Sequence, residues 1–295
     1  MLTDSDLPPL YDAADKSSSA AQKQFLWAIR IRLFGLIAAA FFGLFVWKSQ
    51  SSPVDWAGVL AILCFAVVIF TEASLYLVKP ERTWYEARAA AESVKTLSWR
   101  FAVGGAPFNV GVDTEAHVSD LFLDRLKSVL GVLKNLDLIA PVSAEHQITP
   151  QMRILRASAF ADRKSAYEHD RVANQQIWYQ AKANWNRRRA FGWNLAIVVA
   201  ELLGVSCAVL KTIGVTQRDL LTFSGVIVAT MVGWLQAKQH RTLATAYTIT
   251  ALELASVRSK IADQNDETEW AEFVNDAEEA FSREHTLWKA SRGIR

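Results

Sequence analysis

Two carboxylates, Glu72 and Glu201, interrupt long apolar stretches of this chain. A charged side chain at mid-membrane costs about 2.5–3.5 kcal/mol on insertion scales, so it is expected to face a partner, a cavity or a water path. Glu201 lies near the middle of its stretch. Glu72 lies nearer one end, where a side chain can snorkel toward the interface. Thr222 and Ser224, on the next stretch, are candidate partners for Glu201. Two chemistries are open to both acids: a hydrated carboxylate that lines or gates an ion path, or a protonated carboxyl hydrogen-bonded to a neighbouring helix.

Other chemistry is sparse. The chain contains no G-x-x-x-x-G-K-S/T, no G-x-G-x-x-G and no H-E-x-x-H. Its five histidines are scattered, and none pairs with a Cys or carboxylate at metal spacing. Glu284 and His285 are neighbours, but adjacent helical residues point different ways. No enzyme, metal site or cofactor is expected. Trp84, Tyr85, Trp99, Trp178, Tyr179 and Trp185 stand among Arg and Lys. Such interleaving can bind nucleotides or nucleic acid. It equally suits a helical bundle with amphipathic anchors near lipid headgroups, which is the preferred reading; no nucleic-acid partner is expected.

The elements that must carry these residues are four apolar runs in two pairs, separated by a long polar, helix-forming segment. They cover Leu33–Trp47 (with Ile31 as an alternative start), Ala57–Val78, Ala190–Leu210 and Leu220–Ala237. A bilayer core needs roughly 20 apolar residues in a helix and tolerates about 17. The last three runs reach that length and the first does so marginally. Trp47, Trp56, Trp193 and Trp234 lie at or near run ends, where interfacial aromatics belong. Half of the residues are hydrophobic and a fifth are charged, which fits a four-helix membrane domain with a comparable polar mass. The expected fold is all-α: an integral membrane protein with two transmembrane hairpins and long cytosolic helices, its partner the lipid bilayer. Cys64 and Cys207 both fall inside runs and read as packing residues. No signal-peptide pattern precedes the first run.

Basic residues set the expected topology. Arg30 and Arg32 precede the first run, Lys79, Arg82 and Arg88 follow the second, Arg187–Arg189 precede the third, and Lys238 and Arg241 follow the fourth. The positive-inside bias places both termini and the middle segment in the cytoplasm and both hairpin loops outside. In the polar segments, residues 1–20 read as loose, Arg82–Phe101 as a helix ended by Gly104-Gly105, and Asp113 or Thr114 as the cap of another helix reaching Leu136. Asp137–Thr149 reads as a loop around Pro141. Thr149-Pro150 opens a helix that nothing breaks before Gly192; run on to residue 210 it would be roughly 90 Å long. The segment Lys238–Ile261 reads as one helix and Glu269–Ser291 as the last. Its halves resemble each other: each has a basic-aromatic helix, a hairpin and a basic helix, and Arg82-Thr83 corresponds to Arg241-Thr242.

Small residues recur at four-residue spacing in two runs: Gly35, Ala39 and Gly43, and Gly225, Ala229 and Gly233. Such stripes let helix backbones approach, within one protomer or between protomers. The apolar-aromatic series Ile154, Leu155, Tyr167, Val172, Ile177, Trp178 exceeds what one chain is expected to cover, and a homo-oligomer is expected.

Several motifs resemble SLATT proteins (SMODS and SLOG-associating two-transmembrane effectors). They are KPERTWYEARAAAESVKTLSW at Lys79–Trp99, ITPQMRILRA at Ile148–Ala157, YEHDRVANQQIWYQAKANWN at Tyr167–Asn186, AYTITALELASVR after the fourth run, and SREHTLWKASR at Ser282–Arg292. The residues that carry the resemblance are Trp84, Tyr85, Arg88, Glu92, Lys95, Trp99, Tyr167, Arg171, Gln175, Trp178, Tyr179 and Lys182. The chain looks like two such units in tandem, 1–148 and 149–295, with hairpins at about 31–78 and 190–237. The resemblance implies a bacterial conflict-system effector that oligomerises and forms a pore in the inner membrane on a signal, with a cytosolic sensor or nucleotide-linked signal as a further partner. The alternatives are a membrane-anchored scaffold for a cytosolic partner and a non-toxic ion channel.

Overall fold

The computed structural model describes residues 2–49, 52–136, 138–139 and 146–291. Its long elements are helical: α1 Pro9–Phe42, α2 Trp56–Val78, α3 Pro80–Val103, α4 Glu115–Val132, α5 Pro150–Ala157, α6 Phe160–Ala166, α7 Asn174–Thr212, α8 Leu220–Lys238, α9 His240–Ile261 and α10 Glu267–Ser291. The only strands among the described residues are β1 Lys48–Ser49 and β2 Ser52–Asp55, an antiparallel ribbon closing the first hairpin. Asp55 then caps α2, accepting from the Ala57 N–H at 3.2 Å. The fold is all-α, with four helices long and apolar enough to cross a membrane.

Contacts divide the chain into two compact units, and neither is continuous in sequence. The membrane unit is Lys23–Pro80 with Asn184–Ala244; the polar unit is Met1–Gln22, Glu81–Ala183 and Thr245–Arg295. The helices of the membrane unit expose large apolar side chains such as Ile62, Ile69, Phe70, Leu202 and Val205, as a surface solvated by lipid chains requires. The polar unit has an ordinary core. Trp99, Phe101, Phe108, Phe122, Met152, Tyr167, Leu254 and Trp270 are all buried in one cluster. On α4 the buried positions are Val118, Phe122 and Leu126, followed by Leu133 just past its end. Leu130, which the helical spacing of apolar residues would place on the same face, is exposed.

Residues 2–20, expected to be loose, are not. Pro9 opens α1, where its missing N–H costs nothing, and Leu7, Leu10, Tyr11, Ala14 and Ala21 are buried. That helical spacing was hidden by its Pro and Ser neighbours. Ser17 bonds back to the Ala13 carbonyl at 2.7 Å and Ser18 to that of Trp84 at 3.2 Å, so both hydroxyls are satisfied inside a helix. The expected uninterrupted helix from residue 150 is also corrected. Ser158 and Ala159 are extended, separating α5 from α6, and Tyr167–Ala173 is a π-helical turn. Neither break has a Gly or Pro to announce it. Both serve burial: Met152, Arg156, Arg163, Tyr167, Arg171 and Val172 are all turned inward.

The two halves share a backbone device. Helices entering a hairpin, α1 and α7, run on unbroken from polar to apolar sequence. Helices leaving one end at a left-handed residue, Lys79 (φ 50°) and Gln239 (φ 48°), whose N–H groups bond back to Leu75 and Leu235. Such a cap satisfies an end carbonyl and lets the chain restart as a new helix.

Candidate functional site: a membrane carboxylate and a buried arginine series

In the membrane unit each hairpin is held by one glycine at a close helix–helix approach. A Cβ built on Gly35 would lie 2.7 Å from Val68 Cγ2, and one on Gly204 would lie 2.9 Å from Ser224 Oγ. Gly35 was foreseen as a packing residue and its neighbour Ala39 is buried. Gly204, with Ala200 and Ala208 four residues to either side, is a further small-residue contact that the two expected stripes did not include. Gly43 lies past the end of α1 and meets only its own helix's carbonyls. Gly233 packs against Leu33, with 3.6 Å to a built Cβ. Gly225 and Ala229 are exposed, and nothing lies within 4 Å of a Cβ built on Gly225.

The two membrane carboxylates have different surroundings. Glu72 accepts from Arg32 Nη1 at 2.6 Å, an ion pair between α1 and α2. Glu201 is exposed on α7 and has no hydrogen-bond or ion-pair partner among the described residues. The hydroxyls expected to reach it are engaged elsewhere: Thr222 donates to Asp219 at 2.5 Å and Ser224 to the Leu221 carbonyl at 2.7 Å. Both sit on α8 near its start, where local acceptors are closer than a neighbouring helix. Glu201 instead borders an open groove of about 500 Å³, whose walls include Gly204, Ala208, Ser224 and Gly225.

In the polar unit, three buried arginines project from the successive segments of the broken helix: α5, α6 and the π turn. Arg156 donates to the Phe101, Phe108 and Asn109 carbonyls and to Glu115 at 2.8 Å. Arg163 donates to the Val103 carbonyl and to Glu267. Arg171 makes a bidentate pair with Glu278 on α10, at 2.9 and 2.6 Å, and both side chains are fully buried. Thr96 and Tyr167 donate to the same carboxylate at 2.9 and 3.1 Å. Burial works against the Arg171 charge, but Glu278 more than offsets it and raises the pKa, so the guanidinium stays charged. Burial, then Glu278, holds the Tyr167 phenol well above its usual range. Of these residues the sequence motifs singled out Tyr167 and Arg171. Glu278, Arg156 and Arg163 were missed, because an acid and a base far apart in sequence announce no pairing.

The other motif residues are tied down locally. Arg88 bridges Asp15 at 3.1 Å and Glu92 at 2.6 Å, and Lys95 reaches Asp4 at 2.6 Å. Trp84 stacks on the buried Tyr85 at 4.8 Å, and the buried Trp99 meets Tyr167 edge-on at 6.1 Å. Trp178 contacts Tyr179 and Tyr247 and carries Lys182 over its ring at 5.5 Å. Gln175 is half-buried. The aromatic faces are thus largely used within the protein. Side chains of Glu284 and His285, and the loop around Pro141, fall outside the described residues. No group of His, Cys, Asp and Glu able to hold a metal occurs among the described residues.

Comparison with known proteins gives two matches in series. The model for SMODS and SLOG-associating 2TM effector domain 3 matches residues 8–164, more than half of the chain. That for SMODS and SLOG-associating 2TM effector domain 1 matches residues 167–288. No curated protein and no solved structure matches it. Each matched segment contains one hairpin, α1–α2 or α7–α8. With its spanning helices, its closely packed hairpins and these two matches, the chain belongs to the SLATT family and carries two SLATT domains in tandem.

Proposed function

We propose that this membrane effector self-associates in the inner membrane and opens an ion path lined by Glu201, with both termini cytoplasmic and both hairpin loops external. One observation carries the reading. Glu201 is exposed on a spanning helix, without a partner, beside an open groove. A lone carboxylate facing lipid is unstable, so it requires water or a second copy of the chain. The exposed small-residue face at Gly225 and Ala229 supports the same assembly, since it lets another helix approach closely. Exposed Ile154 and Ile177 offer further apolar contact outside the membrane. The basic residues around Arg30, Arg82, Arg187 and Arg241 support the topology. The polar unit, locked by its arginine series, is the part that a cytosolic sensor or nucleotide-linked signal would act on.

The test is Glu201→Gln, which keeps size and hydrogen bonding and removes the charge. At matched protein levels and oligomer size, the variant is expected to depolarise cells less in a dye assay and to relieve growth arrest. Parental depolarisation by the Gln variant would remove Glu201 from the path.

A further inference from the structure

Two cations share one indole ring in the membrane unit. Arg30 Cζ lies 5.3 Å from the Trp234 ring centre and Lys238 Nζ lies 5.6 Å from it. Arg30 stands just before the first span and Lys238 ends α8, so both mark the same end of the bundle. Neither has a carboxylate partner among the described residues, and Arg30 is held only by Trp234 and by Trp27 at 5.2 Å. The cationic surplus continues next to Lys238. Burial first, then Lys238 and Arg189, lowers the pKa of His240. Arg32, by contrast, is neutralised by Glu72.

A slot of about 340 Å³ opens from Arg30 and Trp234, the ring against which Lys238 also lies. Its walls are Arg30, Leu33, Phe34 and Ile37 on α1, with Trp193 and Met231 opposite. From Arg30 to Ile37 the helix advances about 10 Å toward the middle of the span. One end of the slot is therefore cationic and aromatic at headgroup level, and the rest is apolar at acyl-chain depth. That gradient is the shape of a phospholipid, and the uncompensated charges select its anionic class.

We infer that this slot is a binding site for an anionic phospholipid, its phosphate between Arg30 and Lys238 and one acyl chain along Leu33, Phe34 and Ile37. A phosphate oxygen accepts from the Arg30 guanidinium and the Lys238 ammonium, completing charges that the chain leaves unpaired. Trp234 lies against both cations and helps hold them at this end of the bundle. The site is separate from Glu201 and does not depend on an ion path.

Native mass spectrometry of the detergent-solubilised protein tests this with dioleoylphosphatidylglycerol, dioleoylphosphatidylcholine and inorganic phosphate as probes. The phosphatidylglycerol adduct is expected to persist at collision energies that strip phosphatidylcholine, and phosphate alone is expected to leave no adduct. Arg30→Gln with Lys238→Gln removes both charge-assisted contacts and should weaken phosphatidylglycerol by more than about tenfold, the effect of losing one. Lys48→Gln, at the opposite end of its span, should bind like the parent. Ile37→Trp fills the apolar slot while keeping both cations, and it too should lose the lipid. It decides the matter alone if the double variant fails to fold. Equal retention of both lipids, equal retention by the variants, or an adduct with phosphate alone would each overturn the site.

Discussion

At the residue scale, the Arg171–Glu278 pair sets the sharpest energetic expectation. Two fully buried charges stabilise only while both are present, and removing one strands the other at a cost of roughly 3–5 kcal/mol. Glu278→Gln or Arg171→Met should therefore lower the melting temperature markedly, whereas Arg171→Met with Glu278→Leu should recover much of the loss. Thermal unfolding of matched samples checks this, and a double variant no better than the singles would mean that the pair does more than neutralise itself. His240 gives a pH dependence. Its Nδ1–H donates to the Asn186 side-chain oxygen at 2.7 Å, and its folded pKa lies below the ordinary value. Folded and unfolded chains are both neutral there well above about pH 6.5. Below that value the unfolded chain takes the proton first, so stability is lost as the pH falls. The parent should lose more thermal stability between neutral and mildly acidic buffer than His240→Gln does.

At the element scale, the glycines divide into those packed within the chain and those facing open space. Gly35 and Gly204 face a neighbouring helix at distances where a side chain forces movement. Gly35→Leu or Gly204→Leu should disturb its own hairpin, at a cost of about 1–3 kcal/mol typical of overpacking. Gly225 faces open space, so Gly225→Leu fits in one protomer without a clash. It should leave the melt of the monomer unchanged and shrink the oligomer, as mass photometry in mild detergent would report. An unchanged oligomer would place the contact between copies elsewhere. The spanning helices and two of the caps were legible beforehand: Thr114 and Thr149 cap α4 and α5 with side-chain bonds of 3.3 Å. The break at Ser158–Ala159 and the π turn were not, because no local residue demands them. They exist so that Arg156, Arg163 and Arg171 can all point inward.

At the scale of the whole molecule, the tandem arrangement repeats one plan with a difference between its halves. Both hairpins close on a glycine and both leave through a left-handed cap. Only the first neutralises its membrane acid, by Arg32; the second leaves Glu201 open. The topology proposed for this plan predicts that single cysteines at Ser52 and Thr216, in a background lacking Cys64 and Cys207, label from outside intact cells. Protection of both sites would invert the orientation.

Hydropathy is a sum over neighbouring residues, so the four spans and the all-α class could be read from the chain before any contact was known, although the first helix stops at Phe42, short of the expected Trp47. Helix caps are equally local, since donor and acceptor lie within one turn. The recurring motifs identified the family for the same reason. What Glu201 faces, where Glu72 finds its counter-charge and which acid meets Arg171 were settled only by tertiary structure. Arg32 and Glu72 are 40 residues apart, and Arg171 and Glu278 are 107 apart. No short-range rule links such residues. The pairing comes from helices packed side by side, and packing is a property of the folded chain.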